Sequence, residues 1–239
     1  MDYLSDNINE NQKIALMENL PLPQMLTLCE TNRFYRDLCN GFHSNRIFET
    51  RRRNEFSNEI LELKEPTMSW KEFYIQVHKF NRRELIFYQY GPSSTNWFVQ
   101  LFEEKALLEL KLLYLKLRKD QQTNLLNSLR MDYQAAFYNF PEFLNWLFER
   151  HEINPDIMLT AIRKGNIDIV KWLDEIAKVQ PSAIDASMSL YNNNLAIAEY
   201  FSNLTPAILP DLDFNFAPRV INNRAVSDWL QSKGLPQLI

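Results

Sequence analysis

Met158–Leu173 reads MLTAIRKGNIDIVKWL. Ala161 and Ile162 lie on one side, and Ile169, Val170 and Leu173 on the other, of Gly165-Asn166, a pair that tolerates a left-handed backbone. The pattern predicts helix, turn, helix, and it recurs. Asn145-Trp146-Leu147, Lys171-Trp172-Leu173, Glu199-Tyr200-Phe201 and Asp228-Trp229-Leu230 hold equivalent places, with their aromatic residues 26, 28 and 29 positions apart. Three positions before each aromatic stands an apolar residue: Phe143, Ile169, Ile197 and Val226. The last three copies open at Gly165-Asn166, Asn193-Asn194 and Asn222-Asn223. One such unit cannot bury its apolar face alone, so a series at this period predicts an α-solenoid. Its tryptophans, each beside an apolar residue, are expected between repeats rather than in a binding stripe.

The whole chain favours helix. Glycine numbers 4 in 239 residues, far below the usual share of about 7%. Phosphate loops, tight hairpins and barrels need positive φ at many places and are disfavoured. Apolar residues make up 46% and charged residues 23%, the balance of a folded soluble protein with room for one large domain or two small ones. A net charge of −4 argues against a dedicated nucleic-acid binder, whose affinity rests on neutralising phosphates. No run of roughly 18 uncharged apolar residues occurs, so no membrane-spanning segment is expected. The opening MDYLSDNINENQ has neither the basic nor the apolar region of a signal peptide. Cys29 and Cys39 fall on predicted apolar helix faces and are expected as buried, reduced thiols. An intracellular location, cytoplasmic or nuclear, follows, and the sequon Asn203-Leu204-Thr205 is then accidental.

Towards the N-terminus, Leu20–Cys39 reads LPLPQMLTLCETNRFYRDLC. A weakly patterned helix with Ile14, Ala15, Leu16 and Met17 precedes it. Leu22, Met25, Leu26, Leu28 and Cys29 pattern a second helix with Pro23 in its first turn. Thr31 or Asn32 caps a third that carries Phe34, Tyr35, Leu38 and Cys39. Ser69 and Glu72 have capping-box spacing, which predicts a helix from Trp70 to about Lys79. Leu85-Ile86-Phe87-Tyr88 suits a strand or a buried helix equally. Gly91–Asn96 reads as a linker. Beyond it, leucine stripes at Leu108/Leu112/Leu115 and Leu110/Leu113/Leu117 predict one sandwiched helix over Trp97–Arg118.

Two resemblances add to this reading. Leu20–Cys39 resembles the second half of an F-box, with Leu20-Pro21 as its second Leu-Pro step. Met25-Leu26 and Leu28 match the paired leucines, Phe34-Tyr35-Arg36 the aromatic-basic segment, and Leu38 the closing leucine. The first Leu-Pro step is replaced by Ile8-Asn9. Met158–Leu173 resembles an ankyrin repeat, with Ala161 and Gly165 at the turn and Ile169-Val170 and Leu173 in the second helix. The other copies are shorter, lack the Thr-Pro-Leu-His opening and carry asparagine at the turn. Arg51-Arg52-Arg53 and Trp70–Tyr74 resemble the segment that follows F-boxes in ankyrin proteins of large DNA viruses.

The resemblance implies an all-α chain with an F-box-like helical module at 1–80, a linker and connecting helix at 81–131, and ankyrin-like repeats at 132–239. It implies a Skp-type ubiquitin-ligase adaptor as partner, met by Leu20, Pro21, Leu22, Met25, Leu26, Leu28, Tyr35 and Leu38, and a target protein held by the repeats. For the target, the concave face of the first helices offers Ile157, Thr160, Arg163, Lys164, Ser187, Ser189 and Asn192. The residues by themselves leave a second reading open, in which the N-terminal apolar side chains only form the core of a helical cap on the solenoid.

Chemistry finds little support. His43, His78 and His151 have no second ligand at helical spacing, and His151-Glu152 is followed by Pro155 where a zinc-protease motif needs histidine. Neither cysteine has a nearby histidine, and no serine lies in a nucleophile-elbow pattern. No cofactor, no metal and no enzymatic activity are expected. Arg51–Arg53, with Arg46, reads either as a phosphate or acidic-partner site or as the solvated face of a helix.

Overall fold

The computed structural model describes residues 9–90, 95–119, 129–150, 153–211 and 223–236. Every regular element among them is an α-helix, in line with the glycine-poor composition. The chain groups into two units: residues up to Ser94 with Lys111–Lys116, and Thr95–Leu110 with everything from Leu117 onward. Ile8, Gly91–Ser94, His151-Glu152 and Asn222, used in the sequence reading, lie outside the described residues.

In the first unit, α1 (Glu10–Asn19) starts at Asn9, which forms a reciprocal capping box with Gln12. α2 (Leu22–Thr31) follows Pro21 and keeps Pro23 in its first turn, where no N–H is needed. Asn32 is the cap of α3 (Arg33–Asn40), accepting from the N–H groups of Phe34 and Tyr35. α4 (Ser44–Glu55) and the single turn α5 (Asn58–Leu61) lead to α6 (Trp70–Tyr90). The Ser69/Glu72 capping box forms as its spacing predicts: the Ser69 N–H donates to Glu72 at 2.9 Å and the Glu72 N–H to Ser69 at 3.2 Å. α6 runs past Lys79 to Tyr90, which resolves Leu85–Tyr88 as helix. α2 packs on α3, α1 on α4, and α4 on α6, around a core that includes Ile14, Met17, Met25, Ile47, Phe48 and Tyr74.

One expectation is overturned here. Cys29 and Cys39 are joined as a disulfide with their Cα atoms 6.1 Å apart. The tight α2–α3 hairpin turns both apolar faces onto each other, so two thiols read as separate neighbours of the core become direct partners. The support that reduced thiols gave to a reducing compartment falls with them.

Trp97–Arg118 is likewise two helices rather than one, α7 (Thr95–Glu103) and α8 (Leu107–Lys119). Lys105 takes a left-handed φ of 50°, and the Ala106 N–H closes back on the Leu101 carbonyl at 2.8 Å. The three charged residues Glu103, Glu104 and Lys105 stay exposed at this break. Beyond it Leu110, Leu112, Leu113 and Leu117 are buried, and Leu108 and Leu115 half-buried, so both leucine stripes are covered as expected.

The second unit continues as helix hairpins: α9 (Met131–Phe137) with α10 (Pro141–Phe148), α11 (Ile157–Lys164) with α12 (Ile167–Glu175), and α13 (Ala183–Tyr191) with α14 (Leu195–Ser202). α15 (Arg224–Ser232) closes the series. First helices pack side by side, α9 on α11 on α13, and second helices do the same, α10 on α12 on α14. Each hairpin turns on one left-handed residue, at equivalent places: Asn139 (φ 52°), Gly165 (72°) and Asn193 (58°). At each turn the following N–H reaches five residues back, Phe140 to Ala135 (2.9 Å), Asn166 to Ala161 (2.9 Å) and Asn194 to Ser189 (2.8 Å).

Two ladders bind successive hairpins. Asn166 donates to the carbonyls of Ala136 (2.7 Å) and Phe137 (3.3 Å), Asn194 to that of Ile162 (2.5 Å), and Asn223 to the Asn193 side chain (3.0 Å). On the second helices the repeat aromatics reach the preceding copy. The Trp172 ring meets Phe148 edge-on at 5.7 Å, the Tyr200 hydroxyl donates to Asp174 at 2.7 Å, and Trp229 Nε1 donates to Glu199 at 2.9 Å. Beneath them Phe143, Ile169, Ile197 and Val226, with Leu147, Leu173, Phe201 and Leu230, are all essentially inaccessible to solvent. Each such side chain stabilises by about 2 kcal/mol and each ladder hydrogen bond by about 1 kcal/mol. The apolar rail therefore carries the stability, and the polar ladders set the register.

Candidate functional site

The N-terminal candidate is built on the Leu-Pro segment between α1 and α2. Its anchor is Arg51 of α4, only 2% exposed. Its Nη1 donates to the carbonyls of Met17 (2.9 Å) and Leu20 (2.5 Å), closing the open C-terminus of α1. Its Nε donates to the Tyr74 hydroxyl at 2.9 Å, and its Nη2 to Glu55 at 3.0 Å. Tyr74 donates to the same carboxylate at 2.5 Å, and His78 Nε2 lies 3.1 Å from it. Burial pushes the Tyr74 hydroxyl well above its ordinary range, and the Glu55 carboxylate that accepts its proton pushes the same way. A cavity of about 410 Å³ opens beside this cluster, lined by Asn19, Leu20, Pro21, Leu22, Pro23, Arg51, Glu55 and His78. Neither proline has an N–H to offer. Leu20, Pro21, Leu22 and Pro23 supply the apolar part of its lining, and Asn19, Arg51, Glu55 and His78 the polar part.

The eight residues proposed for the adaptor divide by burial. Met25, Tyr35 and Leu38 are core, and Leu22 is 8% exposed. Leu20, Leu26 and Leu28 are half-buried against that core, and Pro21 is exposed. Only the second set reaches the surface. Phe34, read as part of the aromatic-basic segment but not among the docking residues, is an exposed aromatic of the same unit, and so is Phe42, which the sequence reading did not assign. Phe42 is 95% exposed on the α3–α4 turn, and nothing in its short Gly-Phe-His context distinguishes it from a core residue.

The arginine run is also revised. Arg51 is neither a phosphate ligand nor solvated. Arg52 lies over the Trp70 ring, and both Arg52 and Arg53 pair with Glu49, at 3.1 and 2.9 Å. Those two hydrogen bonds, Arg52's first, hold the Glu49 carboxyl below its usual range. Arg46 is exposed. The sequence showed three like neighbours on a helix, but at 100° per residue they point in different directions, and here Arg51 faces the core while Arg53 faces solvent.

Among the target-side residues, Ile157, Thr160, Ser187 and Ser189 are buried. Ser187 Oγ accepts from the Asp211 N–H at 2.8 Å and Ser189 Oγ donates to the Ala186 carbonyl at 2.6 Å, so both satisfy backbone groups. Arg163 and Lys164 are exposed, and Asn192 is half-buried with its amide on the Met188 carbonyl. Beside them are half-buried aromatics of α9 that sequence reasoning passed over, Tyr133 and Phe137, whose rings stack 6.4 Å apart.

His43 faces Glu10 at 3.3 Å, and His151 lies outside the described residues. Among the described residues no three His, Cys, Asp or Glu side chains converge as a metal site would need, and no helix is long and apolar enough to cross a membrane. No family model, curated protein or solved structure matches the chain.

Proposed function

We propose that this chain is a non-catalytic adaptor. The N-terminal unit docks, in the manner of an F-box, on a Skp-type component of a cullin ubiquitin ligase, and an ankyrin-like solenoid of helix hairpins holds the protein to be modified. Holding both raises the effective concentration of the target at the ligase, and the chain itself needs no chemistry to do so. The observation that carries the reading is the state of the Leu-Pro segment. Pro21 is exposed and Leu20 partly covered at an open cavity that both line, and Leu26 and Leu28 are partly covered on α2. Apolar groups kept at the surface by a buried arginine are what a docking edge requires.

A second reading, a scaffold with no ligase partner, is favoured by the burial of Leu22, Met25, Tyr35 and Leu38. Co-purification of the whole chain with a Skp-type adaptor separates the two. The adaptor reading expects a stable complex that Leu26→Asp abolishes while helical circular dichroism is retained, and that the exposed change Pro21→Ser weakens. A wild-type chain that elutes alone leaves the scaffold.

A further inference from the structure

Arg130, Tyr133 and Phe137 lie on or at the start of α9, and Arg163 and Lys164 close α11, its neighbour. Arg130 lies over the Tyr133 ring with Cζ 4.8 Å from its centre, Tyr133 stacks on Phe137, and Lys164 Nζ lies 3.6 Å from the centre of the Phe137 ring. Two cations thus clasp two aromatic rings across the joint between consecutive hairpins. By position in the hairpin, Phe137 corresponds to Arg163 and then to Tyr191, so one edge of the unit presents ring, guanidinium, ring. Adjacent helices put these groups about 10 Å apart.

No carboxylate among the described residues pairs with the cations of this edge. Among the described residues Arg130, Arg163 and Lys164 form no ion pair, and they stand together on adjacent helices. The nearest acidic side chain of α9, Asp132, is committed to the N–H groups of Tyr133 (2.8 Å) and Asn154 (3.0 Å). The C-terminal dipole of α11 favours Arg163 and Lys164 where they stand, but it supplies no carboxylate for them to bond. In a chain of net charge −4, such a cluster is out of keeping with the whole.

We infer that this edge binds an acidic segment of a partner protein. Its carboxylates would meet Arg163, Lys164 and Arg130, two of which Tyr133 and Phe137 hold in place. The inference rests on the adaptor reading only in that it names the chemistry of the target; the binding itself needs no ligase. A single strand of nucleic acid is the lesser fit. Three cations give it few phosphate contacts, and the rings already carry cations where bases would have to stack.

The test is selection from a random twelve-residue peptide display library on the purified whole chain at about 150 mM salt, the salt at which exposed charges act over about 8 Å. The expected outcome is enrichment of Asp and Glu. Selected peptides should lose about tenfold in affinity on Arg163→Glu/Lys164→Glu, lose less on Arg163→Gln/Lys164→Gln, and bind unchanged to Lys178→Glu, an exposed charge elsewhere in the unit. Helical circular dichroism of each variant is measured alongside. No enrichment of acidic peptides, or equal binding by both double variants, overturns the inference. So does tighter binding of an oligothymidine strand that the charge reversal abolishes, which would assign the edge to nucleic acid. None of these outcomes touches the co-purification result, so the two readings fail separately.

Discussion

Arg51 shows how one side chain determines what its surroundings can do. It satisfies two helix-end carbonyls, a phenol and a carboxylate from inside the core, and buried polar groups of this kind cost most when a partner is removed. Arg51→Met keeps the volume but strands the Met17 and Leu20 carbonyls and takes the cation from Glu55, while the Tyr74 hydroxyl keeps its bond to that carboxylate. The expected loss is about 2–3 kcal/mol, read as a lower urea midpoint. Arg53→Met, on the exposed neighbour, should stay within about 0.5 kcal/mol, and equal effects of the two would refute the assignment. Gly165 makes a second test. It sits at φ 72°, and a Cβ there would lie 2.9 Å from the Asn194 side-chain oxygen. Gly165→Ala should cost about 1–2 kcal/mol from the left-handed backbone alone. In an Asn194→Ala background the steric part is relieved, so the same change should cost less than in the wild-type chain.

Among the elements, α2 and α3 depend on their cross-link, and the hairpins on their asparagines. Cys29–Cys39 closes a separation of 10 residues, a loop short enough that Cys29→Ser/Cys39→Ser should cost roughly 2–3 kcal/mol. A thiol-alkylation mass shift before and after reduction checks the pairing directly, and uptake of label without reduction would refute it. Reading the sequence gave the elements in the order the hairpins needed. Gly165, Asn193 and the apolar residue before each aromatic are local signals, and they mark real turns and a real rail. The first turn, Asn139-Phe140, escaped notice because its second residue is aromatic rather than asparagine. Arg51, the disulfide and the break at Lys105 were not legible, since each depends on what a distant segment brings alongside. The residues proposed to dock were only half legible: periodicity marks Leu22, Met25, Leu26 and Leu28 as apolar, but which of them the core absorbs is decided by α3 and α4. For the ladder, Asn194→Ala should cost about 1 kcal/mol in thermal unfolding, and Asn192→Ala, whose amide bonds only within its own helix, should cost less.

At the scale of the whole molecule, charged groups bonded within and between elements shape how stability depends on pH. Glu199 accepts from Lys233 and then Trp229, and these hydrogen bonds hold its carboxyl below the ordinary 4.5. Glu72 is lowered by the Ser69 N–H, and Glu49 by Arg52 and Arg53. A carboxyl depressed in the fold contributes stability above its ordinary range and loses it as the pH falls through the lower folded value. Tyr200 and Tyr74 work at the other end. Burial raises both, and their hydrogen bonds to Asp174 and Glu55 raise them further above the ordinary 10.0. Their contribution is complete below about pH 10 and is lost as the pH rises through the folded values. The urea midpoint should therefore stay level through neutral pH and fall at both extremes. Glu199→Gln should flatten the acid limb and leave the alkaline one, whereas Tyr200→Phe should do the reverse. An acid limb unchanged by Glu199→Gln would mean that the α14–α15 joint is held without this carboxylate, by the apolar contacts of Val226 and Leu230 and the Asn223–Asn193 bond.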